Sequence, residues 1–301
     1  MKVLVLHTLP PEDTGADRIS LEFDLDGAAC HIAQALPSAV VAGVHGEVHE
    51  VLTQLAIHQP DVVFNLCEAP LGRVDREAQM AALFESLEVR FTGCGSETLA
   101  LCRRKDRASA VLAAAGVAVP RSGVFPCIVK PADEDGSAGI FADSVCEGPE
   151  DLARARRRLT GPVVIQEFLP GREFAVALWG RDQPEYFSVG ESQFLNGLRL
   201  NTYAAKWEMD SLDFAHSSIR YDTRIEPPLS GAIVAAARGA WHAVEAHGYL
   251  QVDVRLDGTG APHVLDVNPN PEIGPEDGIC RAAQEAGWTW EQFIRQQVEW
   301  A

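Results

Sequence analysis

Two aspartates and an asparagine toward the C-terminal end of the chain are hard oxygen donors at a spacing that suits one ion. Asp266 and Asn268 are two residues apart in a predicted strand, so both project from the same face of it. Asp253 lies on the preceding strand of a predicted hairpin and can face them. Such oxygens suit Mg²⁺, which keeps its other positions for phosphates and water. In the structural alternative, one Asp lies in a turn and the other on the surface. Both have apolar neighbours, however, and burying an unpaired carboxylate is costly.

A lysine at the end of another predicted strand precedes a loop that contains glycine and serine. The strand ends in Cys127-Ile128-Val129-Lys130-Pro131, and Gly136 and Ser137 lie in the loop Asp133–Gly139. A lysine on a buried strand needs a charged partner, and the backbone N–H groups of such a loop can approach phosphate oxygens. An ordinary surface turn is the alternative. Three acidic residues in the loop suggest help from a metal or a further substrate contact.

The stretch Val163–Phe174 predicts a strand, a linker with a Pro-Gly turn and a further strand. Backbone groups of the linker could meet the edge of an adenine base, and Glu173 could accept hydrogen bonds from ribose hydroxyls. A sheet edge with a turn and a surface glutamate is the alternative.

The elements that must position these residues alternate between strands and helices, which is typical of a parallel sheet. The expected fold class is α/β (α+β), with a polar loop from Thr8 to about Ser20. Predicted strands are Lys2–His7, Val62–Leu66, Val124–Lys130, Val163–Phe168, Phe174–Trp179, Leu250–Leu256 and His263–Val267. Predicted helices are Gly27–Leu36, Val48–His58, Arg76–Leu87, Lys105–Ala115, Pro149–Leu159 and Leu229–Gly248.

Composition narrows the class of protein. A length of 301 residues suits two or three lobes around a cleft, and 47% apolar with 23% charged residues is typical of a globular chain. The net charge of −18 repels a phosphate backbone, so no nucleic-acid partner is expected. Seven scattered cysteines without a CxxC motif favour free thiols, with a zinc site or a catalytic Cys as the alternative. Without a signal peptide or a membrane-length apolar run, we expect a cytoplasmic protein and no membrane partner.

The ordered set of motifs resembles the D-alanine–D-alanine ligase-like branch of the ATP-grasp superfamily, over about residues 60–275. The residues that carry the resemblance are Phe64-Asn65-Leu66-Cys67-Glu68, Phe91-Thr92-Gly93, Lys105, Ile128-Val129-Lys130-Pro131, the loop with Gly136 and Ser137, Glu167-Phe168-Leu169, Glu173, Ala205-Lys206, Asp253 and Asp266-Val267-Asn268.

This resemblance implies three lobes: an N-terminal parallel α/β domain of residues 1–95, a central lobe of residues 96–178, and a C-terminal lobe of residues 179–301 that carries the metal site. ATP would lie between the last two lobes, with one or two Mg²⁺ ions, or Mn²⁺ as the alternative, on Asp253, Asp266 and Asn268. Lys206 would reach the terminal phosphate from a mobile loop. The implied nucleotide contacts are Lys105, Lys130, Gly136, Ser137, Gln166, Glu167, Phe168, Leu169, Glu173 and Lys206. The candidate catalytic residues are Lys206, Arg255, Gln251 and Ser137.

Departures from the family pattern concern the substrates. The family's D-alanine enzymes carry a Gly-Gly-x-Ser-x-Glu-like motif after the first strand, where this chain has His-Thr-Leu-Pro-Pro-Glu-Asp at residues 7–13. They also carry an Arg two residues before the first metal Asp, where it supports the oxyanion. This chain has Gln251 there, and Arg255 is the candidate substitute in that role. The last motif continues Asn268-Pro269-Asn270-Pro271-Glu272. We therefore expect small-molecule acid and amine substrates other than D-alanine, the acid being an amino acid or another small acid.

The expected reaction is an ATP-dependent ligation through an acyl phosphate, which yields an amide, ADP and phosphate. The alternatives are a nucleotide-binding protein without turnover, a true D-alanine–D-alanine ligase, and an ester or thioester ligase. The stretch Glu191–Asp213 is a candidate lid over the hydrolysable intermediate, with a peripheral strand pair as the alternative. His7, His31 and His216 are candidate general bases, although a lone His is more often structural. The sequence leaves a homodimer open.

Overall fold

The computed structural model describes residues 1–10, 25–134, 136–195, 197 and 199–301, so most of the predicted loop after Thr8 lies outside the described residues. The strands are β1 (Val3–Thr8), β2 (Val40–Val44), β3 (Val62–Leu66), β4 (Cys127–Pro131), β5 (Val145–Cys146), β6 (Val163–Glu167), β7 (Glu173–Gly180), β8 (Tyr186–Phe194), β9 (Ser217–Arg220), β10 (Gly248–Leu256) and β11 (Pro262–Asn268). The helices are α1 (Leu25–Ala35), α2 (Val48–His58), α3 (Glu77–Ser86), α4 (Ser96–Cys102), α5 (Lys105–Ala114), α6 (Pro149–Arg156), α7 (Tyr203–Trp207), α8 (Leu212–Ala215), α9 (Pro227–Ala243), α10 (Gly278–Glu285) and α11 (Trp290–Trp300). In the described part of the chain, no helix has the length and apolarity needed to cross a membrane.

The N-terminal sheet is parallel, with strand order β2-β1-β3. Every residue of β1 and β3 is buried, as expected for Val- and Leu-rich strands covered on both faces. One face packs against α1 and the C-terminal helices α10 and α11, and the other against α2 and α3. Strand β2 was not predicted from the sequence; it is an edge strand whose Val40 is 42% exposed.

The central sheet is antiparallel, with strand order β5-β4-β6. Its core of buried residues is small: Cys127, Val129, Cys146 and Ala155. The predicted start of β4 at Val124 was wrong by three residues. Pro126 has no N–H to donate to a ladder, so the strand begins after it. Elements with few buried apolar contacts open more easily than those with large cores.

The C-terminal sheet has five antiparallel strands in the order β11-β10-β7-β8-β9. Strand β10 alternates, so Leu250, Val252 and Val254 are buried in the core formed with α9, α4 and α5. Its polar residues Gln251, Asp253 and Arg255 project from the opposite face. This alternation aligns three candidate site residues along one strand.

The hairpin between β10 and β11 is closed by an aspartate. The Asp257 Oδ1 atom accepts hydrogen bonds from the Thr259 N–H (2.8 Å), the Thr259 hydroxyl (2.7 Å) and the Ala261 N–H (2.9 Å). These bonds, the Thr259 hydroxyl first, lower the pKa of Asp257 to about 2. The turn therefore holds the register of the two strands that carry the metal-ligand candidates.

Two sequence-based boundaries differ from the structure. The helix predicted to reach Gly248 ends at Ala243, because Glu245 has a φ of 54° and Gly248 already begins β10. The predicted lobe boundary at residues 178/179 falls within β7, which pairs with β8 and β10 of the C-terminal sheet. We therefore propose that the C-terminal lobe includes β7 and begins before Glu173. The rest of the three-lobe division stays a prediction.

Candidate active site

A cleft of about 1030 Å³, including the solvent at its mouth, lies between the central and C-terminal sheets. All the metal-ligand, nucleotide-contact and candidate catalytic residues proposed from the family resemblance line this one cleft: Lys105, Lys130, Gly136, Ser137, Gln166, Glu167, Phe168, Leu169, Glu173, Lys206, Gln251, Asp253, Arg255, Asp266 and Asn268. Their individual roles stay predictions, but the structure brings them together.

The three metal-ligand candidates converge on the cleft. The strand register places Asp253 opposite Asp266 and Gln251 opposite Asn268. The Gln251 amide donates to the Asp253 carboxylate over 3.1 Å, and the Asn270 N–H donates to the Asn268 side-chain oxygen over 3.0 Å. Among the described residues, no three His, Cys, Asp or Glu side chains are grouped to hold a metal ion. An ion here would therefore use two carboxylates and one amide oxygen, a donor set that suits Mg²⁺ with water and phosphate ligands.

Two buried lysines lie beside these carboxylates. Helix α5 begins at Lys105, whose backbone N–H donates to the carbonyl of Ala132 just after β4, and this places Lys105 close to Lys130. The Lys105 ammonium donates to Asp266 over 2.7 Å. Burial lowers the pKa of Lys130, with Asp266 opposing that effect. Burial favours a higher pKa for Asp266, but the two lysines outweigh it and hold that pKa below its usual value. Lys105, Lys130 and Asp266 therefore form a cluster of paired charges that can bind a polyanion such as a polyphosphate.

Burial has a different result at Asp253. It raises the pKa of this carboxyl, and the neighbouring Asp266 adds to the rise while Lys206 opposes it. A divalent cation would relieve this repulsion, so the two aspartates fit the expected ion electrostatically as well as by register.

The glycine loop and the segment that carries Lys206 are joined directly. Gly136 has a φ of 60°, Ser137 one of 62° and Gly139 one of 73°, so the loop runs through left-handed backbone. The Trp207 indole N–H donates to the Gly136 carbonyl over 2.7 Å. Within the stretch proposed as a lid, Glu191 to Phe194 belong to β8 and pair with β9. The later residues form α7, which carries Lys206, and α8, so a lid role stays a prediction for that part.

The other end of the cleft carries the nucleotide-base candidates. Phe168, Leu169 and Gln166 are buried, whereas Glu167 forms an ion pair with Arg121 over 2.6 Å that lowers its pKa. The contact with Arg121 could not be predicted from local sequence, because it joins residues 46 positions apart.

Glu173, the ribose candidate, also has charged and polar partners. It accepts from Arg255 over 2.8 Å and from the Asn201 amide over 3.2 Å. Asn201 was not proposed from the sequence, since nothing in its neighbours marks it. Arg255 was proposed to support an oxyanion; the structure gives it a carboxylate partner, and the oxyanion role stays a prediction.

A group of acidic side chains was also missed. Glu68, Glu77, Glu272 and Asp277 come from three segments, and burial together with its three acidic neighbours raises the pKa of Glu68 well above its usual value. Glu77 is held by the Asn270 amide over 2.6 Å.

The histidines do not reach the cleft. Among the described residues that line it there is no His. His7 is 2% exposed, lies 3.7 Å from Asp26, and has a pKa lowered by burial. His31 is exposed on α1, and His216 lies before β9. The seven cysteines are free thiols; six are buried and Cys30 is exposed.

A family model described as "D-ala D-ala ligase C-terminus" matches residues 101–299, about two thirds of the chain and all of the cleft-lining residues above. The chain belongs to this family. It is an ATP-dependent ligase that joins a carboxylate to an amine.

Individual relatives agree with this family. The D-alanine–D-alanine ligase of Rhizobium meliloti (strain 1021) is 27% identical over 273 residues, which cover 84% of this chain and 83% of the relative. That of Brucella anthropi is 28% identical over 271 residues, covering 83% of each.

Solved structures show the fold. The D-alanine–D-alanine ligase from Bacillus anthracis complexed with ATP has a TM-score of 0.74 at 14% identity and covers 99% of this chain and 96% of its own. The VanG D-Ala:D-Ser ligase from Enterococcus faecalis has a TM-score of 0.74 at 18% identity, with coverage of 99% and 98%. The ligase therefore has the ATP-grasp fold, as the sequence predicted.

Proposed function

We propose that this ligase condenses an amino acid or another small acid with an amine, and that the pair is not D-alanine with D-alanine. The observation that carries the proposal is Gln251. This neutral side chain takes the position two residues before Asp253 and donates to its carboxylate, so β10 has no cation at that point to support an oxyanion as the resemblance implies for the D-alanine enzymes. Small-molecule acid and amine substrates are its expected partners. The net charge of −18 argues against nucleic acid, and a homodimer stays a prediction.

The cleft residues suit phosphoryl transfer from ATP. An oxygen of the acid attacks the γ-phosphorus, the bond from that phosphorus to the bridging oxygen breaks, and ADP leaves. Both reactants are anionic, so Lys105, Lys130 and Lys206 would neutralise charge along the phosphates. Asp253, Asp266 and Asn268 would hold one or two Mg²⁺ ions, with Mn²⁺ as the alternative, and the metal would withdraw charge from the phosphates when bound.

The second step forms the amide. The amine nitrogen attacks the acyl carbon, phosphate leaves with the electron pair of the broken C–O bond, and the nitrogen loses a proton. Water would destroy the acyl phosphate, so the site must be closed during this step. The bond from Trp207 to Gly136 joins the two segments that would cover the phosphates and supports such closure.

The test is ADP release in the presence of ATP, Mg²⁺ and pairs of amino acids and small acids, with product mass as the second readout. We expect one pair other than D-alanine with D-alanine to give the fastest release and a product lighter than the two substrates by one water. Asp253→Asn should abolish this release, and Asp182→Asn, at an exposed turn, should retain it.

The second candidate is a true D-alanine–D-alanine ligase, which the names of the relatives favour. Fastest release with D-alanine alone would establish it and remove our proposal. ATP binding by calorimetry without ADP release from any pair would instead support a nucleotide-binding protein without turnover.

A further inference from the structure

Arg255 and Glu173 form an ion pair inside the nucleotide cleft. They lie directly opposite each other on β10 and β7. The Arg255 Nη1 atom donates to Glu173 Oε2 over 2.8 Å, and the two residues are 6% and 8% exposed. Both residues line the cleft. Arg255 lies two residues after the metal-ligand candidate Asp253, which corresponds to about 6.7 Å along β10.

The guanidinium of Arg255 is fixed from several sides. Its Nη2 atom donates to the carbonyl of Arg199 over 2.8 Å, and its carbon lies 4.8 Å from the ring centre of Phe168 and 5.8 Å from that of Phe194. Its Nε atom is buried without a hydrogen-bond partner among the described residues. A planar group held in this way presents its donors in one orientation.

This orientation decides which oxygen of Glu173 is available. Oε2 is held by Arg255, while Oε1 accepts only the longer bond of 3.2 Å from the Asn201 amide within the described residues that contact it. A carboxylate oxygen can accept a second donor, so Oε1 can take a hydroxyl as well. Burial favours a higher pKa for Glu173 and Arg255 opposes that rise, so the arginine also helps to keep the acceptor ionised.

We propose that Arg255 is a positioning residue for the nucleotide: it holds Glu173 so that Oε1 accepts a ribose hydroxyl, and the preference for ribose over deoxyribose depends on it. The inference rests on the proposed binding of ATP in this cleft, and it assigns Arg255 to the sugar instead of to an oxyanion. Arg255 acts through Glu173 and touches no reacting atom.

The test measures binding, not turnover. Calorimetry with the full chain gives the Kd of ATP, of 2′-deoxy-ATP and of 3′-deoxy-ATP, each with Mg²⁺. A hydroxyl bonded to a charged acceptor should give the unmodified protein at least a tenfold preference for ATP over one of the two deoxynucleotides. Arg255→Met should reduce this preference to about twofold or less, and Arg255→Lys should restore part of it.

A control residue lies immediately before β7. Arg172 forms an ion pair with Glu191 over 2.6 Å outside the residues that line the cleft. Arg172→Met removes an ion pair with a 9% exposed carboxylate and a more exposed arginine from the same sheet, and should leave the preference unchanged. An equal loss of preference in this variant would assign the effect to general loosening of the sheet and overturn the proposal.

A double-variant cycle tests whether Arg255 acts through Glu173. Arg255→Met alone leaves a buried carboxylate without its cation, whereas adding Glu173→Gln removes both charges and protects folding. If Arg255 acts through Glu173, the double variant should have the same preference as Glu173→Gln alone. Additive losses, or an unchanged preference in folded Arg255→Met, would overturn the inference while ATP binding still supports the proposed function. Absence of ATP binding by the unmodified protein would overturn both.

Discussion

Asp253 and Asp266 face each other in the cleft, yet their replacement by Asn should affect stability in opposite ways. Asp266 accepts from Lys105, a side chain that is 8% exposed, and Lys130 lies beside it. Asp253 accepts from the neutral Gln251, and burial and repulsion from Asp266 raise its pKa. Asp266→Asn removes a carboxylate that accepts a hydrogen bond from a buried lysine. Asp253→Asn removes a charge that the folded state holds unfavourably.

The magnitude follows from burial. Removing one partner of a fully buried pair costs about 3–5 kcal/mol, and the 26% exposure of the Asp266 side chain reduces this to about 1–3 kcal/mol. Asp253→Asn should change the free energy of unfolding by less than about 1 kcal/mol or increase it. Both variants should lose ADP release, because both carboxylates are proposed metal ligands.

Urea unfolding followed by tryptophan fluorescence measures the difference, with the midpoint and slope fitted for each variant. Asp182→Asn, at an exposed turn, is the control for removal of a surface carboxylate. The assignment of the Lys105–Asp266 pair as the stabilising contact would be refuted if Asp253→Asn and Asp266→Asn destabilised the protein equally. It would also be refuted if Asp266→Asn had the same urea midpoint as the unmodified protein.

Three further outcomes follow from single contacts. Trp207→Phe removes the hydrogen bond to the Gly136 carbonyl, which contributes about 0.5–1.5 kcal/mol, so the Kd of ATP should rise about 2- to 12-fold. An unchanged Kd in calorimetry would contradict a role of this bond in closing the site. The folded state raises the pKa of Glu68, so the folded protein loses stability as the pH rises above 4.5, the ordinary pKa of a glutamate. Glu68→Gln should therefore raise the melting temperature more at pH 8 than at pH 5. The control Glu299→Gln, at an exposed position, should show no such difference. Because the pKa of Asp257 is lowered to about 2, this carboxylate stabilises the fold above pH 3.8, and the stabilisation is lost as the pH falls toward 2. The chemical shift of its carboxyl carbon in NMR should therefore titrate near pH 2. A titration midpoint near pH 3.8 would exclude the hydrogen bonds of the turn.

The local sequence pattern was sufficient to predict the bounds of the strongly apolar helices and strands. The helix Val48–His58 and the strand Val62–Leu66 have the predicted bounds. Alternation along β10 was also sufficient to align Gln251, Asp253 and Arg255 on one face, because side-chain direction in a strand depends only on sequence spacing. The convergence of Asp253 with Asp266 follows from that alternation together with a short turn.

The missed features depend on long-range register or on polar strands. Strand β8 contains Gly190 and Glu191 and carries no sustained apolar alternation. The bond from Arg255 to Glu173 joins residues 82 positions apart, and that from Lys105 to Asp266 joins residues 161 apart. No local window contains such pairs, so the sequence could name these residues as candidates but could not assign their partners.

The small core of the central sheet affects how the protein handles its nucleotide. Strand β4 buries Val129 and Cys127 toward α6, whereas Ile128 and Lys130 of β4 and Gln166 of β6 line the open cleft. For this sheet a purine nucleotide would serve as a second layer of packing. Amide protons of β4 should accordingly exchange with deuterium faster in the empty protein, and saturating ATP should slow them more than it slows those of β1. Each turnover would then include the ordering of the central sheet when the nucleotide binds and its loosening when the nucleotide leaves.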